Sequence, residues 1–346
     1  MEKLNLLFTL IKEYLTHYLP LERKYSSNTI RSYQKSLELL LDYTKETKKV
    51  SFSKITFDMI DRTSLSSFLD YISNERGCSI STRNQRLNCI RSFYSFAAEN
   101  NITATIYYEE ILKVSAAKAP EKLVEHMSEE AVNAVISATD TSTQKGLRDM
   151  FLMLFLYKTG ARIQEALDVK LVDIQFGRTT SVILRGKGSK SRTVPLRENT
   201  VLHLKEYIKK FHQNESMYSN NYLFYTYYRG EKKRMTEDNA RDFIAKYGTK
   251  ARTICPQVPE NVYPHLFRHS CAMSLYRSGI HLTLISEWLG HTNMETSLIY
   301  AHADTEIKRK AIEKAIPKDT PLGKLCDTNR YKIDDENILK ELCGLK

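Results

Sequence analysis

The stretch QKGLRDMFLMLFLYKTG, from Gln144 to Gly160, gives the strongest indication of the fold in the second half of this chain. Drawn as a helix, it is apolar nearly all the way round, and a helix without a polar face has to be surrounded by other elements. Gly160 marks its end, because glycine is the commonest residue just after a helix. We therefore expect a buried helix at the centre of an α-rich domain.

The residues after Gly160 predict a short helix, a hairpin and a return to helices. ARIQEALDVKLVDIQF reads as a short helix followed by a turn. TTSVILRGKGSKSRTVPL holds two β-rich runs around a turn rich in Gly, Ser and Lys, which is typical of an exposed hairpin tip. Helical patterns resume from Thr236 to Ile316. The second half should therefore be α-rich with a small antiparallel β-sheet.

The first third of the chain also predicts helices. SSNTIRSYQKSLELLLDYTKE opens with the cap residues Ser27 and Asn28 and then repeats apolar positions at the helical period. SISTRNQRLNCIRSFYSFAAEN repeats the pattern, with Leu87, Ile90 and Tyr94 on one stripe. The fold class is therefore mainly α, with a separate helical domain before the α-rich one.

An exposed connector around Pro120 divides the two domains, and Ser128 with the glutamate pair after it predicts a new helix start. The expected boundaries are a helical domain over residues 1–117, a linker over 118–127, a second domain over 128–316 and a tail over 317–346. In the tail, Ile338, Leu339 and Leu342 either form one small amphipathic turn or belong to a disordered end.

Charge sets the class of partner. The 346 residues carry a formal net charge of +11 and a sequence pI of about 9.2, which favours a polyanion such as nucleic acid over a basic surface that binds nothing. No apolar run approaches the ~20 residues that span a bilayer, and the N-terminus lacks a small-residue cleavage site. The six cysteines form no CxxC pair and are expected to be reduced thiols. We expect a cytoplasmic, nucleoid-associated protein.

Five short motifs then place polar groups in a fixed order along the second domain. They contribute Arg162 in TGARIQEAL, Lys187 in GKGSKSR, His265 and Arg268 in HLFRH, His291 in LGH and Tyr300 in SLIYAHA. Singly, each has an ordinary explanation; Arg162, for example, can simply pair with Glu165 on its own helix. Together, the cations and hydrogen-bond donors describe a site for a phosphate that gains negative charge during reaction. A tyrosine in such a site can act as the nucleophile.

A metal is the main alternative for the histidines. His265 and His269 are four residues apart, as in the zinc-protease helix, but the residue after the first histidine is Leu266 and not a glutamate. Arg268 between them would also repel a dication. We therefore expect no metal and no cofactor.

The order of these motifs resembles that of the tyrosine recombinase and phage integrase family, with its Xer-like and mobile-element branch the most similar. The resemblance covers residues from about Met127 to Ile316 and extends more loosely to the N-terminal helices, which look like the family's SAM-like core-binding domain. It assigns the catalytic positions to Arg162, Lys187, His265, Arg268, His291 and Tyr300, with Glu165 and His269 as supporting residues.

The resemblance implies DNA strand cleavage and rejoining by transesterification. Tyr300 would form a 3′-phosphotyrosyl link, Arg162, Arg268 and His291 would hold the phosphate oxygens, Lys187 would protonate the departing 5′-oxygen and His265 would take the phenol proton. Family members generally work as tetramers on two DNA sites, sometimes with accessory recombinases or directionality factors. A type IB topoisomerase-like enzyme and a non-catalytic DNA-binding regulator are the alternatives.

The expected DNA contacts of the first domain come from polar residues near the starts of its two patterned helices. A face of Asn and Arg suits the phosphate backbone or base edges, although a solvated helix face has the same composition. The residues are Asn28, Arg31, Arg83, Asn84, Asn88 and Arg91.

Overall fold

The computed structural model describes residues 5–119, 124–186, 190–291, 293, 295–303, 309 and 340. Contacts divide the chain into two units, Met1–Glu121 and Lys122–Lys346. The mainly α fold expected from the sequence is confirmed, and it includes small antiparallel sheets. None of the described helices is long and apolar enough to cross a membrane.

The first unit is built from helices alone within its described residues. In order they are α1 (Leu6–Glu13), a π-type continuation (Tyr14–Glu22), α2 (Ser27–Lys48), α3 (Arg62–Asn74), α4 (Ile80–Asn100) and α5 (Thr105–Leu112), with single 3₁₀ turns at Phe52–Lys54, Phe57–Met59 and Ile102–Ala104. The stripe of Leu87, Ile90 and Tyr94 on α4 is fully buried, as predicted. The cap prediction for α2 was wrong by one residue, because Ser26 is the N-cap and accepts a hydrogen bond from the Thr29 amide.

The second unit opens with two helices that the sequence predicts well. They are α6 (Glu129–Ser137), capped by Ser128, and α7 (Gln144–Thr159). Eleven of the sixteen residues of α7 are buried, and Gly160 ends it with φ 62°, in the left-handed region. A short helix, α8 (Ile163–Leu167), and a 3₁₀ turn (Leu171–Asp173) follow.

A three-stranded antiparallel sheet comes next, in the order β1-β2-β3. Its strands are β1 (Ile174–Gln175), β2 (Ser181–Arg185) and β3 (Ser191–Pro195), and Val182 pairs with Val194 in the register of the hairpin. The buried side chains of Val182, Leu184 and Val194 face the core. The two β-rich runs therefore form the hairpin that the sequence predicted, while residues 187–189 at its tip lie outside the described residues.

The rest of the second unit returns to helices around one further hairpin. The elements are α9 (Glu198–Phe211), β4 (Tyr225–Tyr228), β5 (Glu231–Arg234), α10 (Glu237–Arg252), α11 (Pro264–Arg277), α12 (Leu282–Leu289) and α13 (Glu295–Ala303). Helix α7 packs against α11 and α9, so the apolar helix lies at the centre of this unit. The tail from residue 317, including Ile338, Leu339 and Leu342, lies outside the described residues apart from Lys340.

Candidate active site

The site begins at the turn between α7 and α8. Gly160 bends the chain there, and a methyl group on it would lie 2.7 Å from Cδ2 of Leu289, so the position has no room for a side chain. Arg162 is the N-cap of α8. Its backbone amide donates to Oε2 of Glu165 at 2.9 Å, and its Nη1 donates to Oε1 at 2.7 Å. The predicted ion pair between Arg162 and Glu165 therefore forms, and it is part of a larger cluster.

Glu165 is the centre of that cluster. Its carboxylate is 3% exposed and also accepts a hydrogen bond from Nη2 of Arg192 at 2.8 Å, while Nη1 of Arg268 lies 4.0 Å away. Burial by itself raises the pKa of this carboxyl, but the hydrogen bonds from Arg192 and from the Arg162 backbone outweigh burial and lower it. One ionised carboxylate therefore gathers three guanidiniums in a small space.

Arg268 lies deeper than the other two arginines, with its side chain 2% exposed. Its Nη1 donates to the carbonyl of Gly160 and its Nη2 to the carbonyl of Leu289, both at 2.7 Å. These bonds join the C-terminal ends of α7 and α12. Burial, with Arg162 nearby, lowers the pKa of Arg268 to about 10, so it remains a cation at neutral pH.

Tyr300 on α13 is buried in the same cluster and is 1% exposed. Its hydroxyl lies 3.1 Å from Nδ1 of His269, and its ring stacks on that of His291 with centroids 6.4 Å apart. Burial raises the pKa of Tyr300 to about 12, although the positive charges of Arg268 and Arg162 oppose that rise. The phenol is therefore protonated at neutral pH, and it needs a base if it is to act as a nucleophile.

The three histidines of the cluster are neutral at pH 7. Burial followed by the repulsion of neighbouring positive charges lowers the pKa of His269 and of His291 to about 4. Partial desolvation, followed by the positive charges of Arg268 and Arg162, also lowers the pKa of His265, although part of its side chain reaches the surface. Nδ1 of His291 is 2.8 Å from the hydroxyl of Ser297, and the rings of His265 and His269 meet edge to face with centroids 4.9 Å apart.

The structure thus brings together seven of the eight residues that the sequence assigned to the site. The eighth, Lys187, lies outside the described residues. Gly186, just before it, is next to the cluster, since a methyl group there would lie 3.3 Å from Oε1 of Glu165. Such a group of guanidiniums, neutral imidazoles and one phenol can bind a phosphodiester and attack its phosphorus.

Two residues of the cluster were missed by sequence reasoning. Arg192 donates through Nε to the carbonyl of Trp288 at 2.8 Å as well as to Glu165, and buried Ser297 holds His291. Arg192 ends the motif GKGSKSR, which also contains Lys187, so its position in the sequence could have identified it as a site residue. Ser297 is one of many serines, and no sequence motif distinguished it from the others.

His269, which the resemblance made a supporting residue, contacts the candidate nucleophile directly. Its Nδ1 atom lies 3.1 Å from the hydroxyl of Tyr300, 31 residues further along the chain. The leucines of α12 differ in burial, since Leu289 is fully buried whereas Leu284 is 53% exposed.

The six polar residues proposed for the first unit do not share one environment. Asn84 binds both the amide and the carbonyl of Ala117, and Arg91 donates to the carbonyls of Leu112 and Val114. These two side chains brace the segment after α5. Arg83 is half-buried beside Asn84, whereas three residues are exposed: Asn28, Arg31 and Asn88.

Within the described residues, no group of three or more His, Cys, Asp and Glu side chains is arranged to hold a metal ion.

Comparison with known families gives two matches. Residues 125–306, more than half of the chain, match the phage integrase family, and residues 11–101 match the N-terminal SAM-like domain of phage integrases. Among curated relatives, the tyrosine recombinase XerA of Pyrococcus horikoshii is 29% identical over 314 residues, which cover 91% of this chain and 96% of the relative.

Two solved structures share the fold. The XerH site-specific recombinase bound to its palindromic difH substrate aligns with a TM-score of 0.64 at 22% identity, covering 90% of this chain and 89% of that one. The Tn1549 transposon integrase in complex with transposon right end DNA aligns with a TM-score of 0.67 at 17% identity, covering 89% and 98%.

Proposed function

The chain belongs to the phage integrase family, and from this membership we propose that it is a site-specific DNA recombinase that uses Tyr300 as its nucleophile. The observation that carries the residue assignment is the buried phenol of Tyr300 within the cluster that Glu165 organises around Arg162 and Arg268. XerH and the Tn1549 integrase were both solved on DNA, and we extend that partner to this chain.

In the proposed reaction, Oη of Tyr300 attacks the scissile phosphorus and the bond to the 5′-oxygen breaks. The product is a 3′-phosphotyrosyl link, from which a 5′-hydroxyl of a partner strand later displaces the tyrosine. The two steps exchange one phosphodiester for another, so the bond energy is conserved and no ATP is consumed. This chemistry needs neither a metal nor a cofactor.

The guanidiniums are assigned to the phosphate. Arg162, whose side chain is 42% exposed, can reach a DNA strand from the surface, while buried Arg268 would meet the phosphate from below. Planar forks suit two phosphate oxygens at once, and they stabilise the negative charge that builds up on those oxygens. Neutral His291 would donate one more hydrogen bond to them, since Ser297 can accept or donate at its other nitrogen.

Proton transfer to the leaving group is assigned to Lys187. Strand β2 leads to this lysine, and Gly186, just after the strand, is close to Glu165, so the strand ends at the site. The sequence assigned the opposite transfer, from the phenol, to His265.

The two units are proposed to divide the work of binding DNA. Residues 1–117 would form the core-binding domain and 128–316 the catalytic domain, joined by the linker at 118–127. In the first unit, the exposed residues Asn28, Arg31 and Asn88 are the proposed contacts. Nη1 of Arg83 donates a hydrogen bond to Oδ1 of Asn84, and Arg83 would contact DNA only once that bond breaks. Asn84 and Arg91 would act indirectly by holding the helix in place.

Assembly is also part of the proposal. We propose that four copies act on two DNA sites, such as the ends of a mobile element, and that the tail over 317–346 docks on a neighbouring copy. Accessory recombinases or directionality factors would select the sites. A nucleoid-associated location in the cytoplasm follows from a DNA substrate.

Trapping of covalent adducts tests the proposed function. The full chain would be incubated with nicked genomic fragments, from which the cleaved 3′ side cannot be resealed, and the DNA that stays attached after denaturation would be sequenced. We expect one recurring sequence, and two labelled duplexes carrying it should exchange strands. Failure to trap any DNA would overturn the assignment, and plasmid relaxation without strand exchange would favour a topoisomerase-like enzyme.

A further inference from the structure

The cluster holds three neutral imidazoles, and their positions relative to the hydroxyl of Tyr300 differ: the ring of His291 stacks on the phenol ring, and His265 reaches it only through His269. Nδ1 of His269 is 3.1 Å from the hydroxyl oxygen, which is hydrogen-bonding distance. Among the described residues, no hydrogen bond joins His265 to Tyr300. The ring of His265 packs against the ring of His269 instead. His265 also lies at the protein surface, whereas Tyr300 is 1% exposed.

We propose that His269, and not His265, accepts the phenol proton when Tyr300 attacks DNA. This inference rests on the proposed function. As the bond between Oη and phosphorus forms, the proton of Tyr300 moves to Nδ1 of His269. The bond between phosphorus and the 5′-oxygen breaks in the same step, and that oxygen takes its proton from the general acid, for which Lys187 is proposed. Both protons return when the strand is rejoined.

The surroundings of His269 favour the form that can accept a proton. Burial is the main cause that lowers the pKa of His269 to about 4, and His265 and Arg268 on its own helix and His126 before α6 contribute to this shift by disfavouring a second positive charge there. Tyr300 on α13 and His291 after α12 are the other titratable groups that face it among the described residues. At neutral pH the imidazole is therefore uncharged, and with its proton on Nε2 it presents a lone pair to the phenol.

The same surroundings keep the nucleophile inactive before DNA binds. With a pKa of about 12 for Tyr300 and about 4 for His269, the proton stays on the phenol. A phosphate held by Arg162 and Arg268 brings a negative charge that offsets the guanidiniums, and this raises the basicity of His269. Proton transfer thus becomes favourable only when the scissile phosphate is in place.

Three variants on the trapped DNA site test this role. His269→Ala removes the base, His269→Asn keeps an acceptor oxygen near the position of Nδ1 without the ability to take up a proton, and His265→Ala removes the alternative base. Cleavage of a nicked suicide duplex would be followed in single turnover. We expect His269→Ala and His269→Asn to slow cleavage by roughly 100-fold, the usual loss on removing a general base. His203→Ala, an exposed histidine on α9, is the matched control and should cleave normally.

The pH profile separates a base from a residue that only positions the phenol. Without a general base, the phenol must be deprotonated by hydroxide, so the rate of the His269 variants should rise about tenfold per pH unit between pH 6 and 9. The wild-type rate should be nearly flat in that range. A substrate with sulfur in place of the bridging 5′-oxygen has a leaving group that departs without a general acid. Because this substrate still needs a base for Tyr300, the His269 variants should cleave it as slowly, relative to wild type, as they cleave the normal substrate.

The cleavage rates of these variants distinguish a failure of the His269 assignment from a failure of the proposed function. Rescue by asparagine, or a His269→Ala rate within threefold of wild type, would overturn the proposal, and so would a larger, pH-dependent loss in His265→Ala. Circular dichroism and binding to the intact duplex would exclude misfolding as the cause of a loss. If wild type forms no adduct at Tyr300, the proposed function itself fails; if it does and the His269 variants match it, only this inference fails.

Discussion

Nη2 of Arg192 donates a 2.8 Å hydrogen bond to Oε2 of Glu165, and this bond joins strand β3 to the helix that follows Arg162. The same guanidinium donates through Nε to the carbonyl of Trp288 near the end of α12. Gly290 makes room for it, because a methyl group there would lie 2.9 Å from Nη1. Arg192 therefore fixes three elements that carry candidate catalytic residues: the hairpin of Lys187, α8 and the turn of His291.

Replacing Arg192 by lysine tests this positioning role. Lysine keeps the charge but cannot bridge Glu165 and Trp288 with a planar fork. We expect cleavage to slow by up to about 100-fold, the scale of a misplacement of about 1 Å, with little change in affinity for the DNA site. Gel-shift titration and single-turnover cleavage measure the two effects. A lysine variant with wild-type cleavage would show that charge alone suffices at this position.

Substitution of Tyr300 by phenylalanine should abolish covalent DNA adducts while DNA binding persists. The change removes the reacting oxygen and leaves a ring of the same shape in a buried position. Denaturing gels of labelled suicide duplex would report the adduct. Tyr276→Phe on α11 is the matched control and should form adducts as wild type does. Adducts at wild-type level in the Tyr300 variant would refute the nucleophile assignment.

Acid should destabilise the second unit through its histidines. His269 and His291 have pKa values of about 4 in the folded chain, below the ordinary value of 6.5. Between these values the unfolded chain binds more protons than the folded one, so the free energy of unfolding rises with pH and falls as pH drops from 6.5 to 4. The slope is at most about 1.4 kcal/mol per pH unit for each histidine.

Thermal unfolding measured between pH 4 and 7 checks this dependence. His291→Asn removes one titrating group and can still hydrogen-bond Ser297, so its stability should depend less steeply on pH than that of wild type. An unchanged slope would mean that His291 is not desolvated in solution.

Gly160→Ala should lower both stability and cleavage. At φ 62° a side chain is strained by about 1–2 kcal/mol, and the added methyl group would lie 2.7 Å from Leu289. The carbonyl of Gly160 also accepts a hydrogen bond from Arg268, so a shift of this turn would move a phosphate ligand. Gly177→Ala, with open space around it, is the control. Equal melting temperatures for the two variants would contradict the tight contact.

Removal of residues 317–346 tests the proposed docking of the tail. If the tail binds a neighbouring copy, the shortened chain should occupy a single DNA site normally but pair two sites poorly. Native gels resolve the singly bound and paired complexes. Equal loss of both complexes would indicate a folding role for the tail, and no loss of either would rule out docking.

Much of the fold could be predicted because its signals are local. Ser128 as a cap, Gly160 as a helix end and the turn-rich hairpin were each visible within a few residues, and the structure confirms them. Where the prediction failed, the competing signal was also local. Ser26 and Ser27 are equally good caps by composition, and only the path of the chain before α2 selects Ser26. Leu284 lies four residues before Trp288 and so has the spacing of a core residue, yet it is 53% exposed within the described part of the chain.

The family, the order of the motifs and the identity of the cationic groups and the tyrosine could all be predicted from the amino-acid sequence alone, because residue type and spacing along the chain carry that information. The grouping of three arginines around Glu165 and the contact between His269 and Tyr300 became visible in the folded chain alone. These contacts join residues up to 103 positions apart, from Glu165 to Arg268. Their geometry depends on how α7, α11 and α13 pack, and packing is set by the whole core at once and not by any single motif.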